Sequence, residues 1–373
     1  MSVASRIELY AQIEQKRNRP LIVYVTSERD GASGRMGADV IPEICDQISL
    51  IPNDTKAVDV LIVSTGGDIM VAWRTISMLR EKVKHISVLV PQMAYSAATL
   101  LALGADEIVM HPFANLGPID PQISVTKKDQ DGKPNAIHFG SEDMEGFLDF
   151  AKTKVGLTDQ VNMKDVFMRF CEEVGPVTIG FAARSSQLSQ QLGVKLLGTR
   201  LRRNNDERKA KSIVEALHKK YFNHGYALSR SEAKEIGLDV KFPDEELSRL
   251  LWATWIEIEK DLKNRTPFDP MRYVRNDPRL NCLFAPLPYI DIPINTPPPF
   301  VEGLWQQILS KAARSNLPNL DYIKCCALLE STRAQKMYIE KGIISACRIP
   351  NGGIGINVTR TQAGWDASVD EAI

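Results

Sequence analysis

The chain lacks an excess of charge of either sign. Its 373 residues carry 46 basic and 46 acidic side chains, so the formal net charge is zero and the pI is about 7.0. A balanced chain offers no general attraction to nucleic acid or to an anionic membrane surface. We therefore predict neither of these as a partner.

Sequence signals of metal, nucleotide and secreted proteins are missing as well. The cysteines show no CxxC spacing, and no Walker A loop or GxGxxG motif is present. The N-terminus, MSVASRIELYAQIEQKRNRP, lacks the apolar segment of a secretory signal, and the longest uncharged run, 86–105, is broken by Pro91 and Gln92. These absences predict a cytoplasmic protein with free thiols, no membrane anchor, no cofactor and no metal. The six cysteines are Cys45, Cys171, Cys282, Cys325, Cys326 and Cys347.

Apolar, β-branched segments alternate with helical patterns over the first 110 residues. The predicted strands cover 20–26, 58–64, 85–90 and 107–110, and the predicted helices cover 4–17, 38–49, 69–82 and 97–104. Continuous apolar strands separated by helices are typical of a parallel sheet covered by helices on both faces. The sequence therefore predicts an α/β fold.

The remainder of the chain divides at about residue 245. Before it, the chain turns polar over 124–140, and the sequence predicts an exposed loop at KKDQDGKPN (127–135) and helices over 141–155, 159–174, 179–195, 206–219 and 229–238. After it come a tryptophan-rich helix and a proline-rich stretch, 267–299, whose prolines argue against a regular helix or a central strand. Helices are predicted near 300–313 and 320–340, followed by a hairpin around Asn351-Gly352-Gly353. We therefore predict a first domain over 1–244 and an accessory region over 245–373.

One serine, Ser96, lies between an apolar strand and an apolar helix in the segment VPQMAYSAATLLALG. At such a turn a serine hydroxyl can point away from the fold, beside the free N–H groups of the helix. The simpler interpretation is an N-cap serine. The turn STGGD lies at the end of the predicted strand 58–64 and contains Gly67. The N–H of Gly67 could act with that of Ala97 as an oxyanion donor. Together the two turns favour an acyl-transfer site.

Three segments in order, STGGD, VPQMAYSAATLLALGADEIVM and LGPIDPQ, resemble the serine dehydrogenase proteinase family of the Clp/crotonase superfamily. A fourth, YFNHGYALSRSEAKEIGLDV, is similar to that family's closing segment. The resemblance covers about residues 20–240. It implies a Clp/crotonase-like fold of repeated ββα units and a homo-oligomer that acts on peptides or unfolded protein segments.

The resemblance also implies a serine, aspartate, histidine order. Mapped by motif, Ser96 is the nucleophile, Asp120 is the orienting acid and His224 is the general base. Each has a simpler interpretation, Asp120 as a cap of a proline turn and His224 as a solvated loop residue. His111 is the rival base. This chain has Ala97-Ala98 where the family often has a glycine pair.

A serine–lysine dyad, as in signal peptide peptidase A, is the mechanistic alternative. Its candidate bases, Lys127, Lys128 and Lys133, lie in a charged segment where a lowered lysine pKa is not expected.

Three functions remain open from the sequence. The first is an ATP-independent serine peptidase that acts through a Ser96 acyl-enzyme. The second is a crotonase-like protein that binds an acyl-CoA thioester and has no need of Ser96. The third is a catalytically silent scaffold whose proline-rich C-terminal region binds a partner.

Overall fold

The computed structural model describes residues 3–128, 133–201, 207–221, 223–286, 292, 295–312, 317–349 and 353–366. Contacts divide the chain into two compact units. The first unit comprises residues 1–26, 34–258 and 328–335, and the second comprises 27–33, 259–327 and 336–373. The two units are therefore interleaved along the sequence, and the predicted division at residue 245 stays a prediction.

Helices and strands alternate through the first part of the chain. The elements up to residue 128 are α1 (Val3–Arg17), β1 (Leu21–Thr26), α2 (Val40–Ser49), β2 (Ala57–Val63), α3 (Ile69–Lys82), β3 (His85–Val90), β4 (Met93–Ala94), α4 (Ala97–Leu103), β5 (Glu107–Met110), β6 (Asn115–Leu116) and β7 (Gln122–Lys128). Those that follow, up to residue 262, are β8 (Pro134–Gly140), α5 (Ser141–Thr153), α6 (Gln160–Val174), α7 (Pro176–Leu201), α8 (Glu207–Lys219), β9 (Leu228–Ser229), α9 (Arg230–Glu235), β10 (Val240–Lys241) and α10 (Glu245–Leu262).

The remaining elements lie mostly in the second unit. They are α11 (Pro270–Asn276), a 3-10 helix (Pro278–Leu283), α12 (Pro298–Ala312), β11 (Leu320–Glu330), β12 (Gln335–Arg348) and β13 (Ile354–Asp366). β12 and β13 pair as an antiparallel hairpin. Among the described helices, none has both the length and the apolar character that a membrane crossing requires.

A parallel sheet forms the core of the first unit, in the order β10-β5-β3-β2-β1. Every residue of β1 is buried, and so are all but the first residues of β2, β3 and β5. Such strands carry apolar residues on both faces because helices cover the sheet from both sides. The α/β class with a parallel sheet is thus confirmed.

A second, small sheet lies beyond the carboxyl ends of these strands, in the order β4-β6-β9. β4 runs parallel to β6, and β9 is antiparallel to β6, with Leu116 opposite Leu228. This sheet fixes three chain segments that are far apart in sequence: β4 lies just before Ser96, β6 lies just before Asp120, and β9 lies just after His224.

The polar segment 124–140 is mostly strand where the structure describes it, and the loop predicted over 127–135 is strand at both of its ends, while residues 129–132 lie outside the described residues. It contains β7 and β8, which pair as an antiparallel hairpin with Ile123 opposite Phe139. Ile123 is buried, and it packs in a small apolar cluster with Met144 and Ala182. The alternation of Ile123 and Val125 with polar residues is the strand signal, and the neighbouring lysines obscured it.

The helix predicted near 320–340 is also wrong, because these residues form β11 and the start of β12. Leu320 and Tyr322 are buried and Asp321 is exposed, which is the alternation of a strand. Leucine, alanine and glutamate favour helix in isolation, so packing in the sheet outweighs local propensity here.

Part of the proline-rich stretch is helical, contrary to the prediction. Pro270 and Pro278 occupy the first turns of α11 and of the 3-10 helix. Proline is tolerated there because the N–H of a first-turn residue has no partner inside the helix. Residues 287–291 and 293–294 of this stretch lie outside the described residues.

A buried charged cluster connects α1 to the end of β11 within the first unit. Arg6 donates from Nε and Nη2 to the carboxylate of Glu330, at 2.9 and 2.6 Å, and Tyr10 donates to the same carboxylate at 2.6 Å. Arg6 and Glu330 are almost fully buried, so each charge depends on the other. This cluster explains why residues 328–335 belong to the first unit.

Candidate active site

Ser96 occupies a strained turn between β4 and α4. Its backbone angles are φ 54° and ψ −116°, a conformation that side chains other than glycine rarely adopt. Its hydroxyl caps no N–H of α4 and makes no hydrogen bond within the described residues, contrary to the N-cap interpretation. Strain of this kind costs about 1–3 kcal/mol and is concentrated at functional sites. A strained serine between a strand and a helix is the geometry of a nucleophile elbow.

Hydrogen bonds from neighbouring strands hold this turn. The N–H of Tyr95 donates to the carbonyl of Ser64 at 2.9 Å, and the N–H of Ser64 donates to the carbonyl of Met93 at 3.3 Å. The buried hydroxyl of Thr99 contacts the carbonyls of Ala94 and Gly117, at 2.7 and 2.9 Å. The conformation of Ser96 is therefore imposed by its surroundings.

The turn Gly66-Gly67 lies directly against Ser96. Both glycines have positive φ, and a Cβ atom on Gly66 would lie 2.8 Å from Cβ of Ser96. The N–H of Met36 donates to the carbonyl of Gly66, and the N–H of Asp68 donates to the carbonyl of Met36, both at 2.8 Å. Gly67 lies between these two bonds.

Two backbone N–H groups at these turns have no hydrogen-bond acceptor within the described residues. Within the part of the chain that the structure describes, neither Gly67 nor Ala97 donates its N–H to a protein acceptor. Ala97 is the first residue of α4, where the N–H has no partner inside the helix. Both positions match the predicted oxyanion donors, and pairs of such N–H groups stabilise the tetrahedral intermediates of acyl transfer.

Asp120 and His224 form a hydrogen-bonded pair. Nδ1 of His224 lies 2.9 Å from Oδ1 of Asp120, and the amide of Gln122 donates to Oδ2 of Asp120 at 2.7 Å. Burial alone would raise the pKa of Asp120, but the hydrogen bonds and the charge of His224 lower it below its usual value. Asp120 is therefore a carboxylate that can orient the imidazole.

The position of Asp120 is set by its neighbour in sequence. The N–H of Ile119 donates to the carbonyl of Leu217 at 3.1 Å, and the hydroxyl of Ser189 donates to the carbonyl of Ile119 at 2.6 Å.

Gln122 is a site residue that the sequence reasoning missed, although it lies in the segment LGPIDPQ. The signal was its position two residues after Asp120.

Ser96, Gly67 and His224 all line one cavity of about 950 Å³, which we call the serine cavity. No hydrogen bond joins Ser96 to His224 within the described residues, and contacts between nucleophile and base are often loose before substrate binds. One face of α7 forms a further wall, with Phe181, Arg184, Ser185, Gln187, Leu188 and Gln191. Sequence reasoning missed this wall because its mixture of polar and apolar residues resembles any exposed helix face.

Among the described residues, the rival base His111 and the dyad candidate Lys133 do not line the serine cavity. His111 is buried, stacks on Trp252 with ring centroids 5.1 Å apart, and accepts a hydrogen bond from the N–H of Phe113. Lys127 follows Gln122 by five residues along β7, which places its backbone about 17 Å further along the strand. The side chains of Lys127 and Lys128 lie outside the described residues, and Lys133 is exposed.

A second buried histidine, His218, lies near the pair of Asp120 and His224. Nδ1 of His218 is 3.0 Å from Oε1 of Glu142, and Nε2 is 3.1 Å from the hydroxyl of Ser186. Burial lowers the pKa of His218 and raises that of Glu142, and the charge of Asp120 acts on both. Burial thus favours the uncharged forms of both groups.

A comparison with known families matches the N-terminal part of the chain. Residues 3–129 match a family described as ClpP-like SDH-type serine proteinases. Over these residues the chain is similar to that family. The matched range contains Gly67, Ser96, Ala97 and Asp120, whereas His224 lies beyond it.

Two archaeal relatives from Methanocaldococcus jannaschii match more of the chain. The uncharacterized protein MJ0137 is 26% identical over 244 residues, which are 63% of this chain and 73% of the relative. The uncharacterized protein MJ1495 is 24% identical over 246 residues, which are 64% of this chain and 72% of the relative. Their names carry no activity that could be transferred to this chain.

Two solved structures are similar in fold. A mutant of the 1510-N membrane-bound stomatin-specific protease shares 15% identity, with a TM-score of 0.35 over 62% of this chain and 85% of that one. ClpP1 from Listeria monocytogenes shares 12% identity, with a TM-score of 0.33 over 64% of this chain and 97% of that one.

Proposed function

We propose that this ClpP-like protein is an ATP-independent serine peptidase that cleaves peptides through an acyl-enzyme on Ser96. The observation that carries the proposal is the strained Ser96 in one cavity with a histidine bonded to a buried aspartate. A capping serine would have no need of strain, because N-caps take ordinary extended backbone angles.

Each residue has a distinct role in the proposed reaction. His224 accepts the hydroxyl proton of Ser96 at Nε2 as the oxygen attacks the scissile carbonyl, while Asp120 holds the proton on Nδ1. The N–H groups of Gly67 and Ala97 donate to the resulting oxyanion. His224 then gives the proton to the leaving amine, and the C–N bond breaks.

Water completes the cycle. It attacks the acyl-enzyme, passes a proton to His224, and the proton returns to Ser96 as the acid product leaves.

The serine cavity supports a peptide as substrate. Its volume of about 950 Å³ is sufficient for a few amino-acid residues, and its walls combine apolar side chains, such as Phe181 and Leu188, with polar ones. The proposal also includes a homo-oligomer, which the family resemblance implies. It includes a cytoplasmic location, which the sequence predicts.

Hydrolysis of a fluorogenic peptide library without ATP tests this function. We expect cleavage by the unmodified chain and none above background by Ser96→Ala. The control is Ser77→Ala, since the Ser77 hydroxyl only donates to the carbonyl of Trp73 inside α3. Cleavage that persists in Ser96→Ala would contradict the proposal. Absence of cleavage together with binding of an acyl-CoA by both proteins would favour the crotonase-like alternative.

A further inference from the structure

The second unit contains a cavity of its own, of about 690 Å³, which we call the arginine cavity. Its lining includes four cationic side chains, Arg29, Lys263, Arg272 and Arg279, and three carboxylates, Asp269, Asp277 and Asp321. Every one of these residues belongs to the second unit. The proposed peptidase chemistry uses none of them.

Arg29 is the unusual member, because it is only 7% exposed. Its Nε donates to the carbonyl of Thr266 at 2.7 Å, and its guanidinium lies 5.8 Å from the ring centre of Phe268. No carboxylate pairs with Arg29 among the described residues. Buried arginine without an acidic partner is rare, since desolvation of its charge must be offset by another interaction.

The backbone around Arg29 is held in place. Its N–H donates to the hydroxyl of Ser27 at 3.1 Å, and its carbonyl accepts from the N–H of Ala32 at 2.9 Å. Gly31 has φ +72°, and a Cβ atom there would lie 2.8 Å from the carbonyl oxygen of Phe268. The loop therefore presents Arg29 to the cavity in a fixed position, as a binding site requires.

The other charges do not neutralise Arg29. Asp277 is engaged by Arg279 at 2.6 Å, and Oδ1 of Asp269 accepts from the N–H of Met271 at the start of α11. Asp321 is exposed, where water and salt screen its charge. Lys263 and Arg272 add two further cations at the cavity.

We propose that the arginine cavity binds a small oxyanion, a phosphate or a carboxylate, through the guanidinium of Arg29 with support from Lys263 and Arg272. Arginine suits this role because its planar donors match both kinds of oxyanion. The cavity is large enough for the group that carries the anion. This site is separate from the serine cavity and does not depend on the proposed peptidase activity.

Isothermal titration of the full chain at low ionic strength tests the site, with inorganic phosphate in one series and succinate in another. We expect at least one of the two anions to bind, and binding to weaken about tenfold or more in Arg29→Met and in Arg272→Met. Arg272 is exposed, so its variant keeps the test informative if Arg29→Met fails to fold.

The matched control is Arg265→Met. Arg265 lies in the same unit but outside the cavity, where it pairs with Glu259. Affinity unchanged in Arg265→Met supports the site, and the anion that binds identifies the ligand as phosphate-like or carboxylate-like. Binding of neither anion, or equal binding by all three variants and the unmodified chain, would overturn the proposal.

Discussion

The serine cavity and the arginine cavity are built in different ways. In the serine cavity the nucleophile and the oxyanion donors depend on backbone geometry: a strained serine, two glycines and two free N–H groups at the ends of parallel strands. In the arginine cavity it depends on charged side chains from segments that are far apart in sequence. Backbone-built sites leave motifs in a sequence, whereas sites assembled from scattered charges do not.

Among the predicted changes, loss of the general base His224 is expected to have the largest effect on peptide cleavage. In His224→Gln the hydroxyl of Ser96 loses its proton acceptor, so kcat for peptide cleavage is expected to fall about 10³-fold or more. Steady-state kinetics measure the change. His85→Gln is the control, because His85 is partly exposed and outside the serine cavity. An equal loss in both variants would remove His224 from the mechanism.

A substitution in the Gly66-Gly67 turn is expected to have the next largest effect on kcat. A Cβ atom on Gly67 would lie 2.7 Å from the N atom of Met36, at a φ of +150° that alanine rarely adopts. We expect Gly67→Ala to lower kcat about 10²-fold, through displacement of the oxyanion donor, and to destabilise the fold by about 1–3 kcal/mol.

Gly146→Ala is the control for that variant. Gly146 lies in α5, and no atom is within 4 Å of the position of its Cβ. Alanine in a helix interior is favoured over glycine, so this variant is expected to unfold at the same or a higher temperature, with kcat unchanged. Normal kcat in Gly67→Ala would show that the turn contributes no oxyanion donor.

The pair of buried His218 and partly exposed Glu142 is expected to have the smallest effect, and we expect it on stability and not on catalysis. Because burial lowers the folded-state pKa of His218 below 6.5, the unfolded chain binds more protons just below that pH. Stability from this group is therefore complete above about pH 6.5 and is lost as the pH falls toward the folded-state pKa.

Urea unfolding at pH 7.0 and 5.5 measures this loss. Glutamine does not titrate, so His218→Gln is expected to lose less stability between the two pH values than the unmodified chain. Burial also lowers the pKa of His111, but that contribution is present in both proteins and cancels in the comparison. Equal losses in the two proteins would show that His218 is not held uncharged.

The sequence predicts most of the first unit because its signals are local. Buried β-branched strands and intervening helices produced the sheet, and Ser96 and Gly67 followed from two turns at strand ends. The positions of Asp120 and His224 came only from the family resemblance, since no local pattern joins residues 104 apart. Their hydrogen bond depends on the small β4-β6-β9 sheet, which consists of two-residue strands without a sequence signal of their own.

The second unit was less predictable for a physical reason. β11 consists largely of residues that favour helix, and its strand conformation depends on neighbours in the sheet. Arg29 lies in a loop of glycine and polar residues, where nothing in the sequence indicates burial. The interleaving of the two units likewise depends on contacts such as that between Arg6 and Glu330, which are 324 residues apart.

Labelling with a fluorophosphonate, followed by mass spectrometry of the modified peptide, tests the central claim most directly. The account predicts one modified residue, Ser96, with labelling lost in Ser96→Ala and retained in Ser185→Ala, a serine of the same cavity on ordinary helical backbone. It also predicts much slower labelling in His224→Gln and Asp120→Asn. Absence of labelling in the folded, unmodified chain, or labelling of another serine, would contradict a Ser96 acyl-enzyme.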